Sequence, residues 1–331
     1  MFTRIAAVLI AALTVAAISL VAAGKETGKL ILVGDLGPYG FPNKQRIGGV
    51  AAYTEVQFLS DNLLLVSVND GSSAPIHPLK YDEPPSKLLL FDIKQQKVVR
   101  TALYAVEKSH SSVQATQDDQ FVVLNRQGLH VCTPQLICGT PFATYGPVRV
   151  LPGGTRLLVG GNMRSETDLL DASTLQVLNH PAPSNLKVDI FKGGILFDGH
   201  EWINHDTVAE IGEGDVRQVP IQRVGGSVLY SIPVTAQYET TVVANRSGER
   251  FCAVEESYTR WNRIVNFLDI DSSRPYNFVR VRVFDTDSGQ QLFEMHWDPR
   301  HSPTVLPPAL SPDGHELALI RDAKVEVFEV K

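Results

Sequence analysis

The sequence predicts an all-β fold, drawn as a β-propeller of about seven four-stranded blades, on three observations. Helical periodicity is almost absent after residue 24. Short runs rich in Val, Leu, Ile, Phe and Thr recur between clusters of Gly, Pro, Asp, Asn and Ser, which is the signature of strands and turns. One pattern then repeats along the chain: an apolar strand, a short turn holding Ser, Pro, Asp or Gly, and a second, more apolar strand.

The first element is not part of that pattern. A single positive residue, Arg4, precedes an uncharged run of Ala, Val, Leu and Ile from Ile5 to Gly24, and Lys25 and Glu26 mark the return to water. This is the pattern of a secretory signal, with Val21 and Ala23 supplying the small residues before a cut after Ala23. Residues 1–23 are therefore expected to be removed, leaving 24–331 as one domain in the periplasm or outside the cell. The same run is long enough to span a bilayer if it is retained, and only then is a membrane expected as a partner. Removing Arg4 makes a chain with 36 acidic and 30 basic residues slightly more acidic, so nucleic-acid binding through a basic face is not expected.

The strand Lys29 to Leu36, K-L-I-L-V-G-D-L, has no partner near it in sequence. The repeat begins at Val56 with V-Q-F-L-S-D-N-L-L-L-V and returns from Gln114, Val148, Val188, Gln222, Val242 and finally Pro308, as P-A-L-S-P-D-G-H-E-L-A-L-I. The first and last turns, near Asp61 and Gly314, are six intervals apart, a mean of about 42 residues, the period of a four-stranded blade. Third and fourth strands are visible from Lys87 and from Val279, where alternating Val and Arg suit a half-buried strand with one wet face. The turns near Gly226 and Gly248 are too close together for a full blade. Gln222 to Ile232 is either a reduced blade, giving seven, or the end of the preceding blade, giving six. After Ile320 there is room for one more strand, Lys324 to Val330, so Lys29 to Leu36 is expected to pair beside it and close the ring.

The strings L-S-P-D-G-H-E-L-A-L-I, K-V-E-V-F-E-V and V-F-D-T-D-S-G-Q resemble the YVTN and WD40-like propeller repeats of exported bacterial proteins. That resemblance implies the fold. Propellers of this kind bind proteins, hydrolyse lactones, hold quinone enzymes or gate peptidases, and the resemblance selects none of these.

Chemistry is sparse. D-G-H-E-W-I-N-H-D, Asp198 to Asp206, has its histidines, His200 and His205, five apart rather than the four a zinc-protease helix needs, and reads as a strand and turn. The carboxylate pairs Asp269 with Asp271 and Asp285 with Asp287 lack the oxygen ladder of a calcium loop, and D-T-D-S-G-Q reads as a hairpin turn with Gly289 at positive φ. Paired glycines such as Gly153 and Gly154 open no helix and are turn residues. No serine-hydrolase motif occurs. A lactonase-type channel site would draw on inward carboxylates, for which Glu55, Asp189 and Asp198 are candidates. No metal and no cofactor is implied. Asn245-Arg246-Ser247 fits the glycosylation pattern. Cys132 and Cys138 are placed to bridge across the turn T-P-Q-L-I, while Cys252, in R-F-C-A-V, reads as a buried apolar residue.

Two long loops remain, Asp70 to Ser86 and Glu255 to Asn277. The second carries Tyr258, Arg260, Trp261, Arg263 and Tyr276, the residue types that dominate binding hot spots. The expected function is a non-enzymatic exported scaffold presenting these residues to a protein or carbohydrate partner. The alternatives are a channel-sited hydrolase and a structural envelope protein.

Overall fold

A computed structural model describes residues 28–39, 54–69, 86–104, 113–125, 127–144, 148–159, 168–179, 200–211, 217–235, 238–257, 278–297, 304–321 and 323–331. The described strands assemble six antiparallel sheets, the blades of a propeller ring. Blade I holds β2 (Thr54–Ser60), β3 (Leu63–Asn69), β4 (Ser86–Asp92) and β5 (Lys97–Tyr104) in sequence order. Blade II holds β6 (Val113–Ala115), β7 (Phe121–Asn125) and β8 (Gly128–Cys132). Its fourth place is taken by the returning chain, which bridges β8 at Leu129–Phe142 and Cys132–Cys138. Blade III is β9 (Val148–Val150) to β12 (Val177–Asn179), through β10 (Arg156–Val159) and β11 (Asp168–Asp171). Blade IV is β13 (His200–Trp202), β14 (Thr207–Glu210), β15 (Gln218–Arg223) and β16 (Val228–Pro233). Blade V is β17 (Tyr238–Ala244), β18 (Arg250–Ser257), β19 (Phe278–Asp285) and β20 (Gln291–Trp297).

Blade VI unites the two ends of the sequence. β21 (Thr304–Leu310), β22 (Glu316–Arg321) and β23 (Lys324–Glu329) are completed by β1 (Lys29–Asp35), which pairs antiparallel with β23 from Lys29 opposite Glu329 to Asp35 opposite Lys324. The ring is closed as the unpaired apolar strand implies. Leu32 of β1 is buried among Phe58, Phe91, Ile320 and Val327, so the closing strand is also part of the joint between blades VI and I. Gly34 makes this fit: a Cβ there would stand 2.5 Å from the Phe91 ring, so only glycine lets β1 lie against blade I.

The sheets number six among the described residues, not seven. The pattern from Gln222 is the hairpin between β15 and β16, the third and fourth strands of blade IV, so among the described residues the alternative count of six is the one observed. Blade IV begins at β13; the repeat unit at Val188 lies outside the described residues.

Each sheet packs face to face on its neighbours, which is why the inner strands read as continuous apolar runs rather than alternating ones. β7 is buried throughout, and so are the middles of β22 and β23. The V-R-V-R-V strand corrects the expectation of a wet face. In β19, Val279, Val281 and Val283 pack toward blade VI, but Arg282 on the opposite face is 2% exposed, because that face meets blade IV and is not solvent.

Polar contacts also cross every joint. Tyr104 donates to the Leu136 carbonyl between blades I and II, and Lys87 to the Tyr39 carbonyl beside the closing strand. Arg250 donates to the Gly314 carbonyl between blades V and VI.

Candidate functional site

The innermost strands β2, β6, β9, β13, β17 and β21 surround a central cavity of about 530 Å³, lined by residues of all six blades. An innermost strand has one edge without a neighbouring strand, so its backbone groups need other partners. For β9 the partner is Gln114 of β6: its amide nitrogen donates to the Val148 carbonyl and its oxygen accepts from the Val150 N–H, reproducing a strand pairing with one side chain. Beside it, Arg149 of β9 is ion-paired to Glu201 of β13, a contact that joins blades III and IV inside the channel with each side chain about one-third exposed (32% and 33%).

The turns between first and second strands gather at one mouth of the channel. Asn245 is buried, and its amide donates to Ser247 Oγ and to the Pro312 carbonyl, each at 2.9 Å, while its oxygen accepts from the Arg250 N–H. Both amide hydrogens are used, one within its own turn and one in the joint to blade VI, so the glycosylation pattern at Asn245 has no free acceptor amide. The neighbouring Arg246 reaches across the mouth. Its carbonyl accepts from the Gly153 N–H of blade III, and its Nη2 donates to the Leu59 carbonyl of blade I at 2.8 Å. One residue of blade V thereby ties together two blades that are not its neighbours. Burial works against the Arg246 charge, while Asp119, Asp61 and Asp118 on the rim act to preserve it.

A second concentration of charge is buried at the joint of blades IV and V. Glu255 of β18, fully buried, is ion-paired to Arg282 at 2.7 Å and accepts from the Thr235 N–H, and Arg282 also donates to the Pro233 carbonyl. Arg280 extends the group to Glu294 at 2.8 Å. Both sides of this network bracket the chain between residues 257 and 278.

The string around His200 and His205 forms β13 and the turn into β14, not a helix; His205 is exposed, and among the described residues no three His, Cys, Asp or Glu side chains gather as a metal site. What the string does contribute is Glu201 to the channel wall and the buried Trp202. Asp285 behaves as a turn residue: its carboxylate accepts from the Ser288 N–H and Oγ, which hold its pKa below the usual value, and Gly289 has φ of 69°. A Cβ at Gly289 would also meet the Tyr230 ring at 2.8 Å. Gly153 and Gly154 form the β9–β10 turn with positive φ. Cys132 and Cys138 face each other with Cα atoms 4.0 Å apart and sulfurs joined, and Cys252 is buried, where desolvation pushes its thiol pKa far up.

Tyr258, Arg260, Trp261, Arg263 and Tyr276 lie outside the described residues, as do residues 1–23, Asp189, Asp198, Asp269 and Asp271; Glu55 is on β2, with its side chain undescribed. Sequence reasoning missed Gln114, Arg149, Glu201 and Arg246. Only Arg246 leaves a sequence trace: it is the basic tip of a turn whose counterparts carry Asp, Gly or Pro.

No protein-family model matches the chain, and no curated protein is similar to it in sequence. Solved structures with a similar arrangement include Hsv2 of Kluyveromyces lactis, at 15% identity and a TM-score of 0.38 over 85% of this chain and 73% of that one. Another is hydrazine synthase of Kuenenia stuttgartiensis, at 13% identity and a TM-score of 0.39 over 85% and 76%. The class of protein is defined by the chain's own strand pairing, which among the described residues is that of a β-propeller of six blades.

Proposed function

We propose that this propeller is a non-enzymatic binding scaffold, exported to the periplasm or beyond, that presents loop surfaces to a protein or carbohydrate partner. The observation that supports binding over hydrolysis is the state of Glu201. It is the one carboxylate among the described residues lining the channel, and it is committed to Arg149. A hydrolase of the lactonase type needs several convergent carboxylates or amides free to take a metal or move a proton, whereas here Gln114, Asn245 and Glu201 hold blades together. Recognition then falls to loops on a rigid frame, where Tyr258, Arg260 and Trp261 supply the residue types of hot spots. An oxidised Cys132–Cys138 bond accords with an exported location, since such bonds persist in oxidising compartments.

The test is a binding screen of the purified protein against a glycan array and a panel of exported proteins, repeated with Tyr258, Arg260 and Trp261 replaced by Ala. The expected result is a partner whose affinity falls at least about tenfold in the triple variant at unchanged melting temperature, the size of effect hot-spot truncation produces. Turnover of a lactone or ester abolished by Glu201→Gln would overturn the reading in favour of a channel enzyme.

A further inference from the structure

We propose that the outer edge of blade I is a docking site for an extended acidic peptide, which adds to β5 as a fifth strand. β5 ends the sheet order of its blade, so one side of it faces β4 and the other has no strand beside it. From Lys97 to Tyr104 its backbone groups make no hydrogen bond outside the ladder to β4. An open row of this kind is the template that strand addition uses. At eight residues β5 is also longer than the other outer strands, β1, β12, β16 and β20.

The chemistry of the edge selects the occupant. Lys94, Lys97 and Arg100 are exposed, and none of them has a carboxylate at ion-pair distance. Asp92, the one acid between Lys87 and Tyr104, is engaged by the N–H and the side-chain amide of Gln95. The chain as a whole has a net charge of -6, so this run of unpaired cations stands against the general balance. The other outer strands differ: β1 carries one charge of each sign, Glu294 of β20 is held by Arg280, and β12 and β16 carry no charge. Val99 and Leu103, 36% and 65% exposed, add apolar contacts on the same stretch. Val99 bulges from the ladder to β4, so an added strand runs continuously along Arg100 to Tyr104, with Lys97 and Lys94 beyond the bulge. Like charges hold a second copy of β5 off this edge, and the same charges attract a strand bearing Glu or Asp.

The probe is a decapeptide of alternating Glu and Val, with the corresponding Lys and Val peptide and a version N-methylated at every residue as controls. The acidic peptide is expected to bind the purified protein at least about tenfold more tightly than the basic one, and to weaken as salt is raised. N-methylation is expected to abolish binding, because it removes the hydrogen bonds of an added strand. Lys97→Glu combined with Arg100→Glu, at two exposed positions, is expected to reverse the preference in favour of the basic peptide. Should that variant fail to fold, hydrogen exchange of the unaltered protein answers the same question: the acidic peptide is expected to slow exchange in β5 and leave β20 unchanged. Equal binding of the acidic and basic peptides, undiminished binding of the N-methylated one, an unreversed preference or protection confined to other strands overturns the proposal. Absence of binding overturns it too, and reduces the cations to a guard against self-pairing. Retention of peptide binding by the Tyr258, Arg260 and Trp261 triple variant separates this edge from the loop surface.

Discussion

Arg282 and Glu255 form a pair of opposite charges at 2.7 Å with 2% and 0% of their side chains exposed. Neither ion could be placed there alone, because the desolvation cost of one is offset chiefly by the other, with the Pro233 and Thr235 backbone groups and Arg280, 3.8 Å from Glu255, adding to it. Burial opposes the Arg282 charge and Glu255 supports it. Replacing either partner, as in Glu255→Gln or Arg282→Met, is expected to destabilise the fold by about 3 to 5 kcal/mol, with the double variant costing much less than the sum. A urea-unfolding cycle measures this, and additive effects would show that the pair is not coupled. Nothing in V-R-V-R-V announces the pair, since alternation looks identical whether the polar face meets water or a neighbouring sheet holding the complementary charge. Asp285 was legible, because an Asx turn is a local structure whose Asp, Ser and Gly sit within five residues. Arg246 was not, because its partners are at Leu59 and Gly153, far away in sequence.

At the scale of elements, β1 is the clearest case of a strand whose existence and partner follow from sequence, since it is apolar, isolated, and matched by a blade that lacks one strand. Its stability rests on the ladder to β23 and on Leu32, buried at 3% exposure in the joint of blades VI and I. Leu32→Asp places an unpaired charge there and is expected to cost roughly 4 kcal/mol or more, read as a lowered denaturant midpoint. An unchanged midpoint would mean the ring stands without its closing strand. Blade IV was harder to read. β13 has three residues, the hairpin of β15 and β16 imitates the start of a blade, and β16 has an exposed, mixed surface, so spacing pointed to an extra repeat. Strands of three residues carry too little pattern to be told from turns.

Across the whole molecule the six joints are not equal. Five are filled by apolar clusters shared between adjacent blades. Among the described residues the joint of blades III and IV has two separate small groups instead, Leu151, Leu158 and Leu169 on one side and Trp202, Val208 and Val224 on the other, with the Arg149–Glu201 pair between. Hydrogen exchange is expected to find β9, β10, β13 and β14 opening before the rest of the ring, and Arg149→Met to hasten that opening while leaving β18 and β19 protected. Uniform exchange across all blades would contradict an uneven ring. The pairing of Lys29 with Glu329 also has a consequence in time. β1 leaves the ribosome long before β23 and cannot be used until β23 has followed it, and contacts so distant along the chain form slowly. During synthesis the ring is an open arc until β23 has been made, and until then the nascent chain stays without its final lock.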